Sequence, residues 1–220
     1  GIPAGLEISE EYIDRQLRRR QMGHGRGGRM KIEKDHGEIW SGVRHGKTLA
    51  SPIGILVHNL DWKNWTDKMS VDPIDKEIKE VTLPRPGHAD LAGIHKYGFT
   101  DIRNVLERSS ARETTMRVAL GSVCRKLLEE VGTHISSRVI QIHDVIDNSK
   151  IEYKTSKLNS FVDKSPVRCI DKNIENQMIE VIDKAKKSGD SVGGIFEVVA
   201  SGIPYGLSLI HISEPTRPRS

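Results

Sequence analysis

The sequence is poor in cysteine, in aromatic residues and in long apolar runs. Only two of its 220 residues are cysteines, Cys124 and Cys169, which are too few for a disulfide framework or a four-cysteine zinc site. Apolar stretches such as residues 52–57 are far shorter than the ~20 residues that a membrane-spanning helix needs. We therefore expect a cytoplasmic protein with no membrane span and no metal site.

Positive charge is concentrated in one stretch. The chain carries 34 Lys and Arg against 30 Asp and Glu, and seven of the basic residues lie between Arg15 and Lys31 without an acid among them. Three interpretations are open: a solvated basic face, an RNA-binding segment, or a site for a small ligand with several carboxylates or phosphates. Aromatic residues are only 5% of the chain, which disfavours RNA because few side chains can stack on bases.

The pattern of apolar and turn residues predicts interspersed helices and strands. Because no regular strand–helix–strand rhythm appears, we expect an α/β (α+β) fold, a mixed sandwich with long core helices packed between antiparallel sheets, rather than a doubly wound sheet. A polar stretch over residues 61–80 predicts a loop or short helix. The predicted helices span residues 10–21, 111–130 and 171–187, and the predicted strands span residues 30–33, 38–43, 53–58, 138–145 and 194–200.

The helix over residues 111–130 has the clearest signals. Ser110 and Glu113 have the spacing of a capping box, and Gly132 supplies a C-terminal stop. Apolar side chains then recur at helical spacing and predict a core-facing stripe. The stripe consists of Met116, Leu120, Val123 and Leu127.

Two glycine-rich motifs do not fit the sites they resemble. Residues 23–28 match the dinucleotide-binding pattern, but a helix precedes them and a strand is predicted after them, which is the reverse of what that site requires. Residues 42–48 resemble a P-loop, but one residue is missing and Pro52 stands where the phosphate-binding helix would begin. Nine histidines show no metal-binding spacing either.

Two further segments carry candidate site residues. Arg108, Ser109 and Ser110 precede the long helix, where free backbone N–H groups, hydroxyls and a cation could hold an anion. The alternative is a simple helix cap with a surface arginine. His88 lies on a proline-stiffened loop between Arg85 and Asp90, which suits proton transfer, although this pattern taken alone is more typical of an ordinary loop histidine.

Taken together, these segments resemble the chorismate synthase family. The resemblance follows family order over nearly the whole chain. The segment Arg85-Pro-Gly-His-Ala-Asp90 and the Arg-Ser-Ser-Ala-Arg-Glu-Thr run within residues 103–114 are its most specific parts. The matching segments are residues 1–6, 19–30, 41–49, 85–90, 96–99, 103–114 and 198–206.

The resemblance implies a lyase of the shikimate pathway, on the route to the aromatic amino acids. Such an enzyme converts 5-enolpyruvylshikimate 3-phosphate to chorismate and phosphate by 1,4-anti elimination, with reduced FMN and no net redox change. NADPH is a candidate reductant, and a homotetramer is the expected assembly. The implied roles are proton transfer for His88, FMN binding for Arg108, Ser109 and Ser110, substrate binding for Arg85, and substrate or dinucleotide binding for Arg20 and Arg26.

The sequence also departs from the family pattern. A Gly-Glu-Ser-His-Gly segment with the family's other catalytic histidine is expected before Gly1, and further FMN contacts are expected after Gly206. We therefore interpret residues 1–206 as a partial domain that is inactive and poorly folded alone, and residues 207–220 as a non-native tail that resembles translated sequencing adapter. Ala50 replaces a frequent glycine, and His24 replaces a frequent tyrosine. The alternative function is an RNA-binding module centred on residues 15–31.

Overall fold

The computed structural model describes residues 2–26, 34–151 and 154–205, which divide into two compact units. The first unit contains residues 1–22 and 26–124, and the second contains residues 23–25 and 125–220. The single partial domain expected over residues 1–206 stays a prediction. No helix in the described ranges is long and apolar enough to cross a membrane.

The first unit begins with helix α1, Glu10–Gln21. Ser9 is its N-cap, because the Ser9 hydroxyl accepts a hydrogen bond from the Tyr12 amide at 3.2 Å. Acidic residues occupy the first turn and three arginines occupy the last, so both ends complement the helix dipole. Ile13 and Leu17 are fully buried, which confirms the helix predicted over residues 10–21 and its inward face.

Two small antiparallel sheets follow α1. Strand β1 (Gly37–Ser41) pairs with β4 (Gly54–Val57), and β2 (Val43–Arg44) pairs with β3 (Lys47–Thr48). The strand predicted over residues 38–43 is divided at Gly42. This glycine has a φ of 81°, and a Cβ at this position would lie 2.4 Å from the Pro52 carbonyl oxygen. The strand predicted over residues 30–33 lies outside the described residues.

Helix α4, Ala111–Glu130, has the bounds that the sequence predicted. Its predicted inward stripe is partly wrong. Val123 is buried, but Met116 and Leu120 are 42% and 65% exposed, whereas Ala119 and Ser122 are buried. Two stripes recur at helical spacing on α4, and apolarity alone does not decide which one faces the core. Ala119 and Val123 form the core of the first unit with Ile8, Ile13 and Leu17.

Three short helices complete the described part of the first unit: the first agrees with the loop or short helix predicted over residues 61–80, and the other two were not predicted. A 3-10 helix spans Trp62–Asn64, α2 spans Asp90–Tyr97 and α3 spans Arg103–Leu106. α2 and α3 approach closely at Gly93, where an added Cβ would lie 2.4 Å from a Val105 methyl group. This contact fixes α2 against the segment that leads into α4.

The second unit packs two helices with a three-stranded antiparallel sheet. Strand β5 (His134–Ile142) is central and pairs with β6 (Val145–Ile146) and β7 (Gly194–Ser201). Helices α5 (Thr155–Val162) and α6 (Lys172–Ser188) complete the unit. α6 and β7 confirm the predicted elements, β5 begins and ends earlier than predicted, and α5 was missed. The mixed α/β class with antiparallel sheets and long helices is confirmed.

Candidate functional site

Arg20 fastens the end of α1 to the first turn of α4. Its guanidinium donates to Asp35 at 3.0 Å, to the Ala111 carbonyl at 3.0 Å and to the Thr114 hydroxyl at 3.0 and 3.3 Å. All three guanidinium nitrogens are therefore engaged with the protein, and little of the side chain is exposed. This predicted substrate-binding arginine thus also supports the helix terminus at which the candidate site lies.

Arg26 lies close enough to Arg20 for their charges to interact. Although Arg26 is an exposed residue, its pKa lies below the ordinary 12.5, first because the guanidinium loses part of its hydration and second because Arg20 repels it. No carboxylate among the described residues forms an ion pair with Arg26. Two of the predicted arginines therefore repel each other, and a bound anion would relieve that repulsion.

Arg108, Ser109 and Ser110 form the approach to α4. The Arg108 guanidinium carbon lies 5.0 Å from the centre of the Tyr97 ring, and Nη1 lies 3.5 Å from the Tyr97 hydroxyl. The Ser109 hydroxyl is buried without a hydrogen-bond partner within the described structure. An unsatisfied buried hydroxyl is costly in a folded protein, so it points to a polar group that completes the site.

The capping box predicted at the start of α4 is not formed. Ser110 has a φ of 59°, in the left-handed region, whereas an N-cap residue adopts an extended backbone. Glu113 pairs with Arg117 Nε at 2.6 Å, one turn further along, instead of reaching back to Ser110. A non-glycine residue with positive φ stores strain of a kind that clusters at functional sites, so the simple-cap alternative loses its support.

Arg85 and His88 lie on the loop before α2. The Asp90 carboxylate accepts from Arg85 Nε, Nη2 and the backbone amide, each at 2.9 Å. These contacts, led by the side-chain hydrogen bonds, hold the pKa of Asp90 at about 2, below its ordinary 3.8. Asp90 therefore secures Arg85 rather than orienting His88, which is exposed and donates its backbone amide to the Arg85 carbonyl at 3.4 Å.

The predicted site residues fall into two groups in the first unit. One group lies at the start of α4 and includes Arg20 and the segment 108–110, and Arg26 is linked to it through its electrostatic interaction with Arg20. The other group consists of Arg85 and His88 and lies just before α2. Tyr97, which contacts Arg108, is the last residue of α2. α2 has eight residues and therefore spans about 12 Å. No hydrogen bond or ion pair joins the two groups in the described ranges, so their joint action stays a prediction.

Sequence reasoning missed three residues that position these groups. Asp35 and Thr114 hold Arg20, and Tyr97 holds Arg108. Thr114 and Tyr97 lie inside motif segments, but the sequence does not show which residues they contact. Thr114 is 94 residues from Arg20 along the chain, and Asp35 is 15 residues from it. An arginine near an unpaired acid or aromatic residue is too common a pattern to be diagnostic.

Two alternative sites receive no support from the geometry. In the parts of the chain that the structure describes, no group of three or more His, Cys, Asp and Glu side chains could hold a metal ion. In the basic segment over residues 15–31, the Arg20 side chain points towards α4 and not into solvent. Residues 27–31 of this segment lie outside the described residues. The arrangement at α4 instead suits a compact anion held by guanidinium groups, hydroxyls and a helix N-terminus.

Comparisons with known proteins agree on one family. A sequence model described as chorismate synthase matches residues 1–212. Chorismate synthase of Geobacillus sp. (strain WCH70) is 54% identical over 211 residues, which cover 94% of this chain and 54% of the relative. Chorismate synthase 2 of Bacillus thuringiensis (strain Al Hakam) is 54% identical over 217 residues, which cover 96% of this chain and 56% of the relative.

A solved structure extends the likeness to three dimensions. It is described as a crystal structure of chorismate synthase, and it matches with a TM-score of 0.69 at 38% sequence identity. The match covers 91% of this chain and 52% of the solved chain. The chain therefore spans about half the length of the relatives that it matches.

Proposed function

This chain belongs to the chorismate synthase family, and from that premise we propose that it carries part of the active site of a lyase that converts 5-enolpyruvylshikimate 3-phosphate to chorismate and phosphate. The family match confirms the resemblance read from the seven motif segments. The reaction breaks an allylic C–O bond to phosphate and removes a hydrogen at the far end of the 1,4-system. Reduced FMN is the cofactor that the family resemblance implies.

The residues at the start of α4 fit a flavin mononucleotide. The observation that carries the proposal is the buried Ser109 hydroxyl without a partner, next to the strained Ser110 and at the N-terminus of a 20-residue helix. A phosphate or a ring carbonyl of FMN would accept from that hydroxyl, and Arg108 would pair with an anionic group. When bound, reduced FMN supplies an electron-rich ring that assists departure of the allylic phosphate.

The charge of the substrate suits the arginines of the first unit. The substrate carries two carboxylates and one phosphate, and burying such a polyanion requires several hydrogen-bonded cations. Arg26 has no paired carboxylate among the described residues and lies near the positive charge of Arg20. Arg85 uses two of its five guanidinium donors on Asp90 and keeps the others for a ligand. We assign substrate binding to Arg20, Arg26 and Arg85.

His88 is the candidate for proton transfer. Its imidazole is exposed on the loop that the Arg85–Asp90 pair holds, and imidazole is the side chain most often used in general acid–base catalysis. In the proposed site, a His88 ring nitrogen would exchange a proton with the reduced flavin, as the family resemblance implies, and overall the hydrogen lost from the substrate would leave as a proton with the departing phosphate. Arg85, three residues earlier, fixes the substrate within reach of that nitrogen.

The test uses a hybrid enzyme in which this chain replaces the matching segment of the Geobacillus relative. We expect the hybrid to form chorismate and phosphate in equal amounts, and His88→Ala to lower kcat by ~10²–10⁴-fold, the usual range for a general acid–base group. His95→Ala changes another exposed histidine of the same unit and should leave kcat within about twofold. Equal rates for the two variants would remove His88 from the mechanism.

Three further expectations accompany this proposal. The 220-residue chain alone should form no chorismate, because the relatives are about twice its length. The complete enzyme should be a homotetramer, which sedimentation of the hybrid tests. NADPH is proposed as a source of reducing equivalents for FMN, and oxidation of NADPH by the flavin-loaded hybrid tests that assignment.

A further inference from the structure

Arg108 differs from Arg20, Arg85 and Arg103 in the kind of partner that holds it, and shares its aromatic partner type with Arg15, which lies 5.0 Å from the centre of the Tyr12 ring on α1. Arg20, Arg85 and Arg103 each form an ion pair with an aspartate. Arg108 lies over the Tyr97 ring instead, with its guanidinium carbon 5.0 Å from the ring centre. The neighbouring acid, Glu107, is occupied by Arg112 at 2.6 Å. Among the described residues, Arg108 therefore has no carboxylate partner.

An aromatic partner and a carboxylate partner have different consequences for a binding site. A carboxylate neutralises the arginine and competes with an incoming anion for the same donors. An aromatic face orients the guanidinium and leaves both its charge and most of its donors available. An arginine held in this way is preorganised for an anionic ligand, since less side-chain freedom is lost on binding.

The Tyr97 ring is itself held in place. It stacks on Phe99 with ring centres 5.7 Å apart and an interplanar angle of 30°. Lys96 also approaches the ring, with Nζ 5.4 Å from its centre. The hydroxyl contributes little to the hold on Arg108, because its 3.5 Å contact with Nη1 is at the limit of a hydrogen bond. The aromatic face, rather than the hydroxyl, therefore orients Arg108.

We propose that Tyr97 is a positioning residue that presents Arg108, through its aromatic face, as an uncompensated cation to the anionic group bound at the start of α4. The inference rests on the proposed function for the identity of that group, the phosphate of FMN. Tyr97 acts only through Arg108 and does not itself contact the ligand in this proposal.

The test measures FMN affinity by quenching of flavin fluorescence in the hybrid enzyme. Tyr97→Leu removes the aromatic face and should weaken FMN binding about 2- to 5-fold, the effect expected for an exposed cation–π contact. Tyr97→Phe keeps the face and should bind within about 1.5-fold of the parent. In an Arg108→Gln background, Tyr97→Leu should cause no further loss, because the two residues act as one unit. Additive losses, or equal losses for Tyr97→Leu and Tyr97→Phe, would overturn the proposal.

A second measurement separates this inference from the identity of the ligand. In the hybrid labelled with ¹³C-arginine, the ring current of Tyr97 should displace the Arg108 side-chain signals, and Tyr97→Leu should abolish that displacement while Tyr97→Phe preserves it. If the parent hybrid shows the displacement but Arg108→Gln binds FMN as tightly as the parent, the assignment of Arg108 to FMN is refuted and the contact with Tyr97 stands. If the Arg108 signals stay displaced in both Tyr97→Leu and Tyr97→Phe, the contact itself is refuted.

Discussion

Replacing Asp90 with asparagine tests what holds the loop that carries Arg85 and His88. The Asp90 side chain is fully buried, and it accepts two hydrogen bonds from the Arg85 guanidinium and one from its backbone amide. Asparagine has nearly the same shape but only one acceptor oxygen and no charge. The substitution therefore removes the ion pair with little change in volume.

The expected loss follows from the pKa of Asp90. Hydrogen bonds from Arg85 lower it from 3.8 to about 2, which corresponds to about 2 kcal/mol of folding free energy. Arg85 is 44% exposed, so screening by solvent reduces this to about 1–2 kcal/mol. Because the folded-state pKa is depressed, the stabilisation is complete above pH 3.8 and is lost as the pH falls through 2.

Urea unfolding of the hybrid enzyme between pH 7 and about pH 3 measures this effect. We expect Asp90→Asn to lower the free energy of unfolding by about 1–2 kcal/mol at pH 7, and by about half as much near pH 3. Asp75→Asn, at an exposed position of the same unit, serves as the control and should change stability by less than about 0.5 kcal/mol. A loss that does not vary with pH would refute the ion-pair reasoning.

Three further substitutions test packing and electrostatics of the first unit by urea unfolding. Hydrogen bonding to Asp14 raises the pKa of His36, so His36→Gln should destabilise the protein below about pH 6.5 and lose that effect as the pH rises above the raised value. Ala50 has a φ of 61°, so Ala50→Gly should stabilise by about 0.5–1 kcal/mol. Gly93→Ala should cost about 1–3 kcal/mol, because its Cβ would overlap Val105.

Each of these substitutions has a control that shares its chemistry. His95→Gln changes a histidine on α2 that forms no ion pair within the described ranges, and it should change stability at pH 7 by less than about 0.5 kcal/mol. Ala92→Gly lies within α2 and should destabilise by about 1 kcal/mol, opposite in sign to the change at Ala50. Val105→Ala in the Gly93→Ala background should recover part of the lost stability, whereas no recovery would place the strain elsewhere.

The elements that the sequence predicted well are those with local signals. The Ser9 cap, the acidic first turn and the arginines of the last turn are all contained in the α1 segment, so its bounds were predictable. The inward face of α4 depends on which neighbours cover it. Ala119 and Ser122 are buried although Met116 and Leu120 are more apolar, and only tertiary packing decides between these faces.

The site was predictable in its residue types but not in its contacts. The motif segments identified Arg108, Ser109 and Ser110, yet the unpaired Ser109 hydroxyl and the positive φ of Ser110 are properties of the folded chain alone. The pairing of Arg85 with Asp90 was equally open, because a carboxylate two residues from His88 suggested a different partner. Local spacing shows which groups are near one another but does not show which of them are bound.

The central claim is that arginines of this chain bind a polyanionic substrate beside a reduced flavin. It is tested most directly by supplying the hybrid enzyme with 5-enolpyruvylshikimate 3-phosphate, with and without reduced FMN, and measuring chorismate and phosphate. We expect equal amounts of both products, formed only with reduced FMN, and a large loss of turnover when Arg26 or Arg85 is changed to glutamine. A folded hybrid that forms no chorismate under these conditions, or one whose turnover is independent of the flavin, would contradict the claim.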